Sequence, residues 1–233
     1  MPVPEDHTPP AFHLAVVPGV ITDRWRQLWV ERLPEVDLKL VLVEMATQAG
    51  ALLDGRAEAG LVRLPVDRDT FAAIPLYTEA TVVVVPKGHV VTAADEVTLA
   101  DLTGETLLLP EDDVLGWTGA PATVAADRPA TTAAAIELVA AEVGILVVPL
   151  SLARLHHRRD LVHRVVTDAP TSQVALAWVD DRHTDLVEEM IGIVRGRTAN
   201  STRGRAPTQP TPPAPAATAG RAQARGTASR RTP

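Results

Sequence analysis

The chain has 233 residues, 46% of them hydrophobic, a net charge of −7 and no cysteine. That length and apolar content allow one sizeable core or two small ones, and the missing thiols exclude disulfides, thiolate nucleophiles and cysteine-ligated metals. Charge is uneven: residues 199–233 hold six arginines and no acid, and removing those six leaves the remainder at −13, an acidic body that repels a phosphate backbone rather than reading one.

Taken in chain order, Phe12–Val17 alternates and breaks at Pro18-Gly19, which reads as a strand and a turn. Thr22 stands at an N-cap position with Asp23 behind it, and Trp25, Leu28, Trp29 and Leu33 recur at helical spacing until Pro34. Val36–Val43 is a second strand with Leu38, Leu40 and Leu42 on one face. Thr47 heads a helix that carries Leu52 and Leu53 and closes at Gly55, and Ala59–Val62 is a short buried strand ending at Arg63. This β-α-β-α-β order predicts a parallel sheet with crossover helices. Ile74–Tyr77 and Thr81–Val85 suit further strands, and Pro86–His89 reads as a turn. Thr98–Asp101 is a short capping box, and Glu105–Leu109, Thr123–Ala126 and Leu161–Val166 complete a second set of strands. Within that set, Thr131-Thr132 open a helix containing Ile136, Leu138, Val139 and Val143. Gly144 ends it, Ile145–Val148 is a buried strand, and Pro149-Leu150-Ser151 restart a helix. Val174–Val179 and a closing helix over Thr184–Arg195 follow, the helix turning Leu186, Met190, Ile191 and Val194 inward.

The stretch TTAAAIELVAAEVGILVVPLSLAR, Thr131–Arg154, resembles the signature of the effector-binding domain of LysR-type transcriptional regulators. In that family a Ser/Thr-capped helix ends in small residues plus Gly before a buried strand and a Pro. LPEVDLKLVLVE, LLDGRAEAGLV and Arg63 are similar to the family's first-lobe "YPDVEL" and "LLxxGxLDLAI" segments with the basic residue after them. Pro86–His89 matches its "VPxxHPL" crossing, with Val90-Val91 in place of Pro-Leu, and Thr98–Leu109 matches "SLxDLxxxPLI". The resemblance covers residues 12–197 and implies an α/β, type II periplasmic-binding-protein-like fold: two lobes, each an open parallel-rich sheet flanked by helices. Lobe I is expected over 12–86 and 173–198, and lobe II over 90–168. Residues 1–11 and the Pro/Ala/Arg-rich 199–233 are expected to be disordered. The family's winged helix-turn-helix precedes this domain, and 11 residues stand before Phe12, so sequence-specific DNA binding is not expected of the chain as given.

In open α/β sheets, ligands bind beyond the carboxyl ends of strands, where helix N-termini present unpaired N–H groups. Thr22, Thr47 with Gln48, and Thr131 with Thr132 stand at three such points, each pairing a hydroxyl with a positive helix end. Simple capping explains any one of them, and their convergence points to a small anionic effector. The resemblance adds that the positions of Thr47 and Thr131 line the family's cleft and that relatives dimerise, so a homodimer is expected. Arg63 is a bidentate partner for a carboxylate or, equally, an ion pair with Glu44 or Glu79. Catalytic candidates are absent: no GxSxG and no Gly-rich phosphate loop occur. His156-His157 lack a third ligand at metal spacing, and Glu111-Asp112-Asp113 reads as an exposed acidic loop. No cofactor or metal is expected. The opening MPVPEDHTPPAF has no basic start or apolar core, and no run reaches membrane length, so the expected setting is cytoplasmic. A solute-binding protein and an enzyme on the same two-lobed fold are the competing readings.

Overall fold

The computed structural model describes residues 10–197 except 118, 120 and 121. The expectations of disorder before residue 10 and from Ala199 onward lie outside the described residues, whereas Ala11 already opens the first strand. β1 (Ala11–Val16), α1 (Asp23–Arg32), β2 (Asp37–Leu42), α2 (Gln48–Leu53) and β3 (Ala59–Arg63) follow one another. β1 pairs in parallel with β2 on one side and β3 on the other, so both helices are crossovers. β4 (Phe71–Glu79) and β11 (Ser172–Val179) complete a five-stranded sheet of order β2-β1-β3-β11-β4, with β11 antiparallel to both neighbours. β4 is longer than its sequence suggests because Pro75 sits on this edge strand, beside a register shift between Val174 and Ala175, where a missing N–H is tolerated.

The second lobe contains β5 (Thr81–Pro86), β6 (Glu96–Val97), β7 (Thr106–Leu107), β8 (Thr123–Val124), α3 (Thr132–Ala140), β9 (Leu146–Pro149), α4 (Leu150–Leu155) and β10 (Leu161–Val166). Its main sheet runs β6-β10-β5-β9, and the parallel pair β7-β8 joins through a bridge between Leu107 and Ile145. The two lobes therefore repeat one plan. In each, three strands in parallel pairing lie in the order second, first, third, β1–β3 in lobe I and β7–β9 in lobe II, and an antiparallel strand that adjoins a crossing comes next. That strand is β11 in lobe I and β5 in lobe II.

This pairing corrects the expected boundary at residue 86. Thr81–Pro86 is hydrogen-bonded to β9 and β10, so lobe I hands over to lobe II at Ala80, and Pro86–His89 is a turn inside lobe II. The return crossing runs over 167–171, between β10 and β11.

Burial follows position in the sheets. The central strands β3 and β9 are buried at every residue, whereas the edge strand β2 alternates. Leu38 and Leu40 pack inward, but Leu42 at the end of β2 is 82% exposed. One face of the first sheet is covered by α1 and α5 (Asp185–Val194), where Trp29 stacks on Phe12 with ring centroids 4.8 Å apart and Met190 and Ile191 are buried. The other face packs Ala51 and Leu52 of α2. In lobe II, α3 and α4 cover one face through Ile136, Val139 and Leu152. α3 ends at Ala140, earlier than Gly144, and the residue with a left-handed backbone is Glu142, at φ 59°. Gly144 is needed for a different reason: a Cβ there would collide with the Thr106 carbonyl oxygen where β7 meets Ile145.

Candidate functional site

Arg63 ends β3 and, among the described residues, is the most deeply buried cation, 1% exposed. Its Nη1 donates to Glu79 in an ion pair and to Ser172 Oγ at 3.3 Å, and its Nη2 donates to the Pro18 carbonyl at 2.9 Å and to Ser151 Oγ at 3.3 Å. These partners mark the joints of the molecule. Glu79 closes β4 at the first crossing, Ser172 opens β11 at the second, Pro18 follows β1, and Ser151 belongs to α4 of lobe II. Burial pulls the guanidinium below its ordinary pKa while Glu79 pushes the other way, and arginine remains charged throughout the physiological range. The ion pair with Glu79, one of the roles expected for Arg63, is formed.

Gln48 is brought directly onto Arg63. Its Oε1 accepts from the Arg63 N–H at 3.0 Å and its Nε2 donates to the Arg63 carbonyl at 2.9 Å. The buried amide thus acts as a short strand on β3, fixing the end of β3 against the start of α2. Gly19 makes the lobe-to-lobe approach possible. Its φ of +86° suits glycine, and a Cβ would stand 2.6 Å from Ser151 Oγ.

The threonines behave differently from one another. Thr22 is buried at the N-cap of α1 but makes no side-chain cap bond. Thr47 is exposed at the start of α2, and its hydroxyl donates back to the Glu44 carbonyl at 3.2 Å instead of accepting from the helix. Thr131 is exposed and does cap α3, its Oγ accepting from the Ala134 N–H at 3.1 Å. Thr132 is buried and donates to Asp112 Oδ1 at 2.9 Å. The Glu111–Asp113 loop is therefore partly structural: Asp112 anchors α3, and burial raises the pKa of Asp113, which accepts from the Gly116 N–H at 3.1 Å.

Sequence reasoning missed Ser151 and Ser172 as partners of Arg63. Both are small hydroxyls without local signal, and only the meeting of two crossings brings them together. Among the described residues, no group of three or more His, Cys, Asp or Glu side chains is placed to hold a metal ion, and no helix is long and apolar enough to cross a membrane.

Residues 12–199 match the family model described as LysR substrate binding domain. The chain is 30% identical over 158 residues to a probable hydrogen peroxide-inducible genes activator of Mycobacterium leprae (strain TN), covering 63% of this chain and 51% of that protein. It is 28% identical over 130 residues to the protein of the same description from Mycobacterium avium, covering 52% and 42%. The chain thus spans about half the length, or less, of these relatives. Among solved structures, the oxidised form of OxyR aligns at a TM-score of 0.67 with 21% identity, over 82% of this chain and 97% of that one. The BenM effector binding domain with its effector benzoate aligns at 0.67 with 20% identity, over 86% and 97%. The fold is shared with these domains, and with a family match running from Phe12 to Ala199 the chain belongs to the LysR substrate-binding domain family.

Proposed function

We propose that the chain is the effector-sensing part of a transcriptional regulator and that its effector is a small organic anion, of the carboxylate class, held between the two lobes. The observation that carries this reading is the double crossing. Among the described residues the backbone passes between the lobes at Ala80 and at 167–171, so a molecule touching both lobes biases their relative pose. The strand ends supply the anion preference. Thr22, Thr47 and Thr131 stand at the starts of α1, α2 and α3, where the helix dipole is positive. The exposed hydroxyls of Thr47 and Thr131 are the proposed contacts, while Gln48, Arg63 and Thr132, whose side chains are engaged within the protein, form the frame behind them. OxyR has been solved in forms named oxidised and reduced. With no cysteine in 233 residues, a thiol–disulfide step is unavailable to this chain, which favours occupancy over oxidation as the signal.

The sensor is further proposed to be a homodimer. α1 turns Val30, 63% exposed, outward, an apolar side chain available to a partner helix. Light scattering at micromolar concentration tests this, and a strict monomer contradicts it. Effector binding is tested by a thermal-shift screen of small carboxylates against neutral analogues. Thr131→Val is expected to weaken the best binder about fivefold, the value of one hydrogen bond. Binders that are exclusively neutral or cationic, with affinity indifferent to Thr47→Val and Thr131→Val, would overturn the site.

A further inference from the structure

Where α4 gives way to β10 on lobe II, residues 154–164 hold four arginines, three histidines and one acid. This cationic crest stands on an otherwise acidic body. Arg154, His157, Arg159 and His163 are exposed, and none of their side chains has an ion-pair or hydrogen-bond partner among the described residues. Two acids that stand here, Glu137 of α3 and Asp160, are both taken up by Arg158. Arg164 donates to the backbone carbonyls of Thr92, Ala94 and His163, which leave its charge unneutralised. Of the strands flanking His163, β5 sets Val84 opposite it and β6 brings Glu96 opposite Val165. Crowding of like charge has a measurable consequence: burial first, then Arg154, Arg164 and His157, hold the His163 imidazole below its ordinary pKa. An anion laid across the crest removes that repulsion and lets the histidines charge.

Shape and composition select the kind of anion. The hollow bounded by His156, His157, Arg158 and His163 measures about 20 Å³, room for a water molecule, whereas sites that enclose organic ligands run to roughly 300–1,000 Å³. The crest is therefore a contact surface and not a ligand cavity. Leu155, 54% exposed, stands between Arg154 and His156. A phosphate backbone leaves that leucine uncovered, and the acidic body around the crest repels a long polyanion. A polypeptide that interleaves carboxylates with apolar side chains satisfies both features. Its carboxylates meet the arginine forks singly, and its apolar groups take Leu155 out of water.

We infer that this crest is a docking surface for an acidic segment of a partner protein, one in which Glu or Asp alternates with apolar residues. Arg154 and Arg159, exposed at the end of α4 and in the connection after it, supply the permanent charge. His157 and His163 add charge as pH falls through the ordinary histidine range.

The test uses the full chain and three labelled probes read by fluorescence anisotropy: a peptide of repeating Glu-Glu-Leu, its Gln-Gln-Leu counterpart and a mixed-sequence DNA duplex. The acidic peptide is expected to bind, and the neutral peptide and the duplex far more weakly. Arg154→Gln/Arg159→Gln should weaken the acidic peptide by about fivefold or more, the worth of two exposed charge pairs, with the melting temperature unchanged. The same change of charge on lobe I, Arg56→Gln/Arg68→Gln at exposed positions, should leave binding intact. Affinity should rise from about pH 8 to about pH 6, and His157→Gln/His163→Gln should abolish that rise. Equal weakening by both arginine pairs would reduce the effect to net charge and overturn the inference. So would failure of the acidic peptide to bind, affinity indifferent to Arg154→Gln/Arg159→Gln, or a duplex bound as tightly as the acidic peptide.

Discussion

Replacing Glu79 with alanine isolates the role of the buried joint. The substitution leaves Arg63, 1% exposed, with its bonds to Ser172, Ser151 and the Pro18 carbonyl but without a counter-charge. Breaking a buried pair on one side costs about 3–5 kcal/mol, because the remaining charge is neither hydrated nor neutralised. For an ordered body of this size each kcal/mol moves the melting temperature by about 2–4 °C, so Glu79→Ala should melt roughly 6–20 °C lower. Arg63→Met/Glu79→Met removes both charges and keeps apolar volume. It still strands the Pro18 carbonyl, a cost of about 1–3 kcal/mol, so the double variant should lie between Glu79→Ala and the parent. Thermal unfolding of the parent, Arg63→Met, Glu79→Met and the double variant, followed by circular dichroism at pH 7, supplies the four corners of the cycle. A Glu79→Ala melt within about 2 °C of the parent, or a double variant less stable than either single, would refute the view that Arg63 is held in place chiefly by its charge partner.

Gly144→Ala forces a methyl group against the Thr106 carbonyl, and overpacking of this kind costs about 1–3 kcal/mol; urea unfolding should show a lower midpoint with an unchanged slope, and an unchanged midpoint would contradict the close approach. Thr184→Ala removes the oxygen that accepts the Val187 N–H at the start of α5 and should cost about 1 kcal/mol, whereas replacement by Ser should be nearly silent in the same urea titration. His163 is held below its ordinary pKa, first by partial burial and then by Arg154 and Arg164. The unfolded chain therefore binds more protons as pH falls below about 6.5, and stability declines through that window down to the folded-state pKa. His163→Gln should flatten this part of the pH–stability curve, and an NMR titration placing His163 above the ordinary value would reverse the sign.

Much of the fold is legible along the chain because local chemistry and tertiary position agree. Trp25, Leu28, Trp29 and Leu33 share one helical face and pack on the first sheet. β3 and β9 are short apolar runs bounded by turns, as fully buried strands are. The handover at Ala80 is harder to see. β4 and β5 are separated by that residue alone, and nothing in a run of apolar residues shows which sheet a strand joins. Gly144 reads as a helix stop, since glycine often is one, yet the α3 terminus is set by Ala140–Glu142 and the glycine makes room for a backbone oxygen. The site divides in the same way. The Thr131 cap follows from its place before an apolar helical stretch and is present. By contrast, Arg63 gathers partners 16, 45, 88 and 109 residues away, a meeting that sequence spacing does not encode. Arg154, His157 and His163 look like ordinary surface groups until α4 and β10 are seen to bring them together.

The central claim, that a small organic anion acts by bridging two lobes, is tested most directly by the distance between the lobes. The absence of cysteine from the sequence makes Arg56→Cys and Arg159→Cys, exposed positions in lobes I and II, clean attachment points for spin labels. Pulsed electron paramagnetic resonance should show a distance distribution that shifts or narrows at saturation with the tightest-binding carboxylate, and Thr131→Val should reduce that change at the same ligand concentration. A distribution unmoved by a saturating ligand would contradict the account.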